Sequence, residues 1–210
     1  MNNKASECQP CACTHCHLSL HCVCDLIPTI ESPIHIALLM HENELKRETN
    51  SGQWLLASLT KCTQHTWRRN TPSESLLELM NQPGIEPMLL FPNESSRCVS
   101  QTRPHWNQEN NNKTPLFIIL DGTWQEAKKM ANKSPWLAQC QTVHLSPSTR
   151  SNYQLRRNQA EGHLCTLEVG AELLRLAGAD QASSQLTDFF QHYMKVYHAD
   201  KCGHQYKSED

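Results

Sequence analysis

Apolar positions in this chain fall into short continuous runs, separated by stretches with a helical period. Residues 34–40 read Ile-His-Ile-Ala-Leu-Leu-Met, residues 87–91 Pro-Met-Leu-Leu-Phe and residues 116–120 Leu-Phe-Ile-Ile-Leu. Runs this short, with little alternation, belong to strands covered on both faces. Further strands are expected at 64–68 and 141–145. Asn50 or Ser51 caps a helix carrying Trp54, Leu55, Leu56, Ala57 and Leu59. Thr71-Pro72-Ser73-Glu74 reads as a capping box with proline at the first helical position, opening a helix with Leu76, Leu77, Leu79 and Met80. Thr123 caps a helix ending near 132–135. Thr166 starts one that Gly178 closes, and 184–199 form a last amphipathic helix around Phe189, Phe190, Tyr193 and Val196. The polar stretches 93–114 and 146–162 read as long loops. Strands alternating with helices predict an α/β fold, a mainly parallel sheet flanked by helices.

The chain divides into a Cys/His-rich head at 1–28, a body at 29–200 and a polar tail at 201–210. In a parallel sheet, ligands gather at the C-terminal ends of the strands. Three loops there stand out, after Phe91, Leu120 and Leu145. Asp121-Gly122-Thr123-Trp124 follows the clearest buried strand and opens a helix. Gly122 permits a tight turn, and the first helical N–H groups are open to an anion or polar ligand. The same residues also suit a capping Asp with a core Trp, and spacing alone does not separate the two.

Six of the 11 cysteines lie in the first 24 residues. Cys13, Cys16, Cys22 and Cys24 form a C-x2-C-x5-C-x-C array, in which two pairs can each grip one metal and together complete a four-thiolate shell for zinc. Free thiols, disulfides and an iron–sulfur cluster are the other options, and Cys8, Cys11, His15, His17 or His21 could replace a ligand. A closed shell leaves no open coordination position, so the site is read as structural.

The remaining composition sets bounds. Of the 210 residues, 38% are hydrophobic, enough for a core, and no apolar run approaches a membrane span of about 18 residues. The polar start, 1–9, lacks the apolar region of a secretory signal, so a reducing cytoplasmic setting is expected.

The ordered motifs carry a resemblance. They are Cys22-Val23-Cys24 with Ile27-Pro28, His41-Glu42-Asn43-Glu44 through Thr49-Asn50-Ser51-Gly52, Leu90-Phe91-Pro92, and Leu120-Asp121-Gly122-Thr123-Trp124. Next come Ala127-Lys128-Lys129-Met130 with Ser134-Pro135, then 151–157, then Thr166-Leu167-Glu168. Over roughly 13–178 the chain resembles the DTW-domain family of tRNA-uridine aminocarboxypropyltransferases, its bacterial members most of all. That resemblance implies a SPOUT-like sheet with a C-terminal knot. It implies transfer of the 3-amino-3-carboxypropyl group of S-adenosylmethionine to N3 of a tRNA uridine, at variable-loop position 47, with release of methylthioadenosine. Asp121, Thr123 and Trp124 are then the catalytic candidates. Leu90, Phe91, Pro92, Leu120, Gly122, Leu145, Tyr153, Leu155 and Thr166 are the candidates for holding S-adenosylmethionine. Asp121 suits either a general base or a group that positions the uracil or the donor. A SPOUT-type methyltransferase and a non-catalytic zinc-containing RNA-binding module compete with this reading. The expected partners are tRNA and the donor, with no membrane and a monomeric chain.

Charge looks unhelpful until it is resolved along the chain. The formal net is −2, yet 46–69 carry +4 and 97–157 carry +6, and both blocks hold family motifs. Lys46, Arg47, Asn50, Lys128, Lys129, Arg150, Arg156 and Arg157 are therefore the candidates for RNA contact, with Arg68 and Arg69 beside them. A phosphate backbone needs such a basic patch if the blocks converge on one face.

Overall fold

A computed structural model describes residues 12–102, 113–146, 164–204 and 206. Its centre is a six-stranded sheet in which every named pairing is parallel. In chain order the strands are β1 (His35–His41), β2 (Cys62–Trp67), β3 (Ile85–Leu90), β4 (Arg97–Cys98), β5 (Thr114–Asp121) and β6 (Gln141–His144). Across the sheet they run β2-β1-β5-β3-β6-β4. The helices are α1 (Gly52–Ser58), α2 (Glu74–Met80), α3 (Val99–Thr102), α4 (Trp124–Asn132), α5 (Thr166–Leu176) and α6 (Asp180–Lys201). The α/β class and the parallel sheet are as the apolar runs predict. Residues 147–163, between β6 and α5, lie outside the described residues, and no knot is read from the elements on either side.

Side-chain alternation splits the core into two layers. Ile36, Leu38 and Met40 of β1 and Phe117 and Ile119 of β5 face α1, α5 and α6. Ala37 and Leu39 of β1 and Leu116, Ile118 and Leu120 of β5 face α2, α4 and the 3-10 turn at Pro135–Gln139. Both faces being covered explains why these strands read as unbroken apolar runs. A Cβ on Gly170 would come within 2.5 Å of Leu55, so this glycine lets α5 approach α1 closely. The cysteine head joins the first layer: Cys16, Leu18 and Val23 are buried with Trp54. Asp200 near the end of α6 secures it by accepting the Ser19 and Leu20 N–H groups at 2.8 and 2.7 Å.

Three expectations are corrected. The helix expected from Thr71 starts at Glu74 with Ser73 as N-cap. Thr71 instead closes a turn back to Arg68, with Asn70 at φ +62°. The stretch 93–114 is not one loop: β4 pairs with β6, and α3 follows with Val99 fully buried. A two-residue edge strand leaves no periodicity to read. The last helix begins at Asp180, not 184, because Gly178 (φ +86°) turns the chain just after α5 ends and helix resumes at once. No helix among the described residues is long and apolar enough to cross a membrane.

Candidate active site and metal centre

The register brings the site together. Asp121 closes β5 opposite Met40, so the segments leaving β1 and β5 start side by side. Asp121 is 1% exposed. Its Oδ2 accepts Asn50 Nδ2 at 2.8 Å and its Oδ1 accepts the Thr166 hydroxyl at 2.6 Å. A Cβ on Gly52 would lie 2.7 Å from that Oδ2, so only glycine lets α1 approach so closely. Asn50 Oδ1 accepts the Gln53 N–H at 3.0 Å, which makes Asn50, not Ser51, the residue whose side chain caps α1. The Ser51 hydroxyl accepts the Leu167 N–H at 3.4 Å. One buried carboxylate thus joins β5 to the starts of α1 and α5, where the helix dipoles favour a negative charge.

A second carboxylate organises the turn beyond. Thr123 and Glu126 form a reciprocal capping box at the start of α4. Glu126 Oε2 accepts the Thr123 N–H at 2.7 Å and the Thr123 hydroxyl at 2.8 Å. Asn43 Nδ2 reaches Oε1 at 2.9 Å, and Arg47 donates to both oxygens at 3.3 Å. Burial would raise the Glu126 pKa, but the hydrogen bonds from Asn43, Thr123 and Arg47 prevail and lower it to about 2. Arg47 also donates to Glu44, itself 1% exposed, at 2.7 Å. His41 stacks on Trp67 at 5.3 Å and accepts the Asn43 N–H.

Trp124 is 49% exposed and lies flat against Phe91, centroids 5.5 Å apart and planes 13° apart. The core reading of this tryptophan is therefore set aside. The turn after β5 and the loop after β3 instead present a stacked aromatic pair at the strand ends.

The other candidates divide. Leu90, Phe91 and Leu145 are half-buried and Pro92 is exposed, at the ends of β3 and β6. Leu120 is buried beneath the turn, Gly122 sits within it and Thr166 serves Asp121. Lys46, Lys128 and Lys129 are exposed, with Lys129 Nζ 5.7 Å from the Trp67 ring centre. Asn50 is 5% exposed and turned to Asp121, and Arg47 is half-buried and engaged by two glutamates. Tyr153, Leu155, Arg150, Arg156 and Arg157 lie outside the described residues. Glu126 is not among the residues the sequence singles out, and Glu44 enters only as part of the motif that begins at His41. For Glu126 the signal was present, since Thr123-x-x-Glu126 is a capping-box pattern. A buried Glu44 has no comparable mark.

The cysteine array closes into one cluster. The sulfurs of Cys13, Cys16, Cys22 and Cys24 all lie within 4.8 Å of one another. Three of the separations are 3.7, 3.8 and 3.7 Å. A tetrahedron of zinc–sulfur bonds near 2.3 Å has edges of about 3.8 Å, so the donor set fits a four-thiolate zinc shell. His17, at φ +58°, turns the chain after the first pair. Backbone N–H groups of Cys16 and His15 lower the Cys13 thiol to about 6, whereas burial raises the Cys16 and Cys24 thiols, so the fit to a metal rests on the sulfur geometry. His15 Nδ1 lies 3.5 Å from the Cys24 sulfur, outside the quartet. Cys8 and Cys11 lie outside the described residues.

Residues 11–198 match the DTW domain. The tRNA-uridine aminocarboxypropyltransferase 2 of Drosophila melanogaster is 25% identical over 179 residues, 82% of this chain and 66% of that protein. The chain therefore spans just under two thirds of the relative's length. No solved structure matches. The matched span contains the cysteine quartet, the Asp121 network and the Trp124 turn together, and on that span the chain belongs to the DTW-domain family.

Proposed function

We propose that this protein transfers the 3-amino-3-carboxypropyl group of S-adenosylmethionine to N3 of a uridine in tRNA, at variable-loop position 47. Family membership and the name of the fly relative support the reaction class. The observation that carries the reading is the turn after β5, where a buried carboxylate is followed three residues later by an exposed tryptophan stacked on Phe91.

In this reaction the bond between sulfur and the transferred methylene breaks as the bond from N3 to that carbon forms. Sulfur keeps the electron pair and leaves in methylthioadenosine, and the proton on N3 goes to water. The donor brings its own activation as a sulfonium, so the protein's part is orientation and electrostatics. Each oxygen of Asp121 accepts one hydrogen bond from the fold, from Asn50 and from Thr166. It acts as a positioning group: it holds these two side chains and sets a negative potential that favours a sulfonium. Leu90, Phe91 and Leu145 supply the half-buried apolar edge that an adenosyl group requires. Trp124 offers its ring to a base. N3 is on the pairing edge of uracil, so the target must be unpaired or turned out, and an aromatic face holds such a base. Lys46, Lys128 and Lys129, all exposed, are the lysines read as meeting phosphate. Zinc in the cysteine quartet acts as a structural ion.

Calorimetric titration with S-adenosylmethionine tests the enzyme reading. Saturable one-to-one binding is expected. Absence of binding by the folded protein would sink it and favour an RNA-binding module.

A further inference from the structure

We infer that Glu126 is the positioning residue that fixes Trp124 for its ligand, with Arg47 serving as its counter-ion and not as a phosphate-binding arginine. The inference rests on the reading of Trp124 as a stacking surface.

Glu126 receives five hydrogen bonds, and their sources matter more than their number. Two come from Thr123, the residue immediately before Trp124. Three come from Asn43 and Arg47, in the segment that leaves β1. A capping box needs only the exchange between Thr123 and Glu126, and the outer side of such a glutamate ordinarily faces water. Here that side is filled by an amide and a guanidinium from a distant part of the chain. The tryptophan turn is thereby tied at its root to the segment carrying Glu44 and Asn50, and through Asn50 to Asp121. These bonds hold the start of the turn on which Trp124 lies flat against Phe91.

Arg47 is committed to the same strut. Its Nη1 lies 2.7 Å from Glu44 and 3.3 Å from Glu126, and its Nη2 lies 3.3 Å from Glu126. Drawing it out to a phosphate would strip a buried glutamate of its guanidinium, a penalty that one exposed phosphate contact does not offset. Lys46 and Lys128, both exposed, carry no such burden.

The test uses the full chain labelled with 5-fluorotryptophan and read by fluorine NMR. The chain has five tryptophans, and the Trp124 line is assigned by its loss in Trp124→Phe. Glu126→Ala is expected to shift or broaden the Trp124 line and leave the buried Trp54 line in place. Glu126→Gln keeps the shape and one acceptor, and should give a smaller shift of the same sign. It carries the test if the alanine variant does not fold. A Trp124 line unmoved in a folded variant overturns the inference.

The second arm is a salt titration of binding to unmodified tRNA. A lost phosphate contact lowers the slope of log affinity against log salt by about 1. Lys128→Gln should show that drop and Arg47→Gln should not; a drop of about 1 for Arg47→Gln overturns its assignment. In a transfer assay Glu126→Ala should lose about 10- to 100-fold in kcat/KM, with Glu126→Gln recovering most of it. If the unaltered protein transfers nothing to tRNA, the proposed function fails, while the fluorine spectra still decide the strut.

Discussion

Asn50 Nδ2 donates to Asp121 Oδ2 at 2.8 Å across 71 residues of sequence, and both side chains are buried. A buried carboxylate is tolerated where its oxygens are satisfied, and here Asn50 and Thr166 satisfy one each. The bond therefore does two things. It closes the space between the ends of β1 and β5, and it fixes the residue from which the tryptophan turn departs.

Asp121→Asn should damage both roles. The new amide has one acceptor where two donors converge, so a buried donor pair is left facing each other, at a cost of about 1–3 kcal/mol. For a chain of this size that corresponds to a loss of about 2–4 °C in melting temperature per kcal/mol. Transfer should fall by about a hundredfold, the scale of losing a positioning contact. Near-normal turnover with intact donor binding would exclude both the positioning role and a general-base role.

Glu126 gives a pH prediction. Its folded pKa of about 2 lies below the ordinary 4.5, so its contribution to stability is fully present above 4.5. That contribution is lost as pH falls from 4.5 through 2. Acid unfolding followed by circular dichroism should show a shallower dependence in this window for Glu126→Gln than for the parent. Identical profiles would count against the strut.

Trp124 should matter for ligands more than for folding. Stacking on a base is worth about 1–3 kcal/mol, so Trp124→Ala should weaken tRNA affinity about 5- to 150-fold. Trp124→Phe should keep most of it. The lost contact with Phe91 should cost the fold about 1.5 kcal/mol or less. Unaltered affinity in the alanine variant would remove Trp124 from the interface.

Metal removal should be felt in the core. Cys16 is itself buried beside Leu18, Val23 and Trp54, so releasing the quartet loosens the packing behind α1. Elemental analysis should find one zinc per chain, and a strong chelator should lower the melting temperature. Acidification should release the metal, because the ligands must be thiolates. Cys24→Ser should reproduce the chelator effect. A protein without metal that melts as the parent does would contradict the assignment.

The sheet was legible because strands buried on both faces leave unbroken apolar runs, as at 34–40 and 116–120. The turn at 121–124 was legible because Gly122 and the capping Thr123 follow such a run directly. The cysteine spacing picked out the four thiols that the fold gathers into one cluster able to hold a metal. Less visible were features that depend on distant partners. Glu44 and Arg47 look like a local surface pair three residues apart, and only the closeness of the segments after β1 and β5 brings Arg47 to Glu126 as well. Val99 follows a two-residue strand too short for any period. The packing of the head on Trp54 depends on α6, whose Asp200 lies about 180 residues away.

The most direct measurement of the central claim is incubation with unmodified tRNA and isotope-labelled S-adenosylmethionine, followed by mass analysis of the digested nucleosides. The account predicts a uridine carrying the labelled 3-amino-3-carboxypropyl group, mapped to variable-loop position 47, with methylthioadenosine formed in equal amount. A product heavier by only a methyl group, or no modified uridine from a complete tRNA pool, would contradict it.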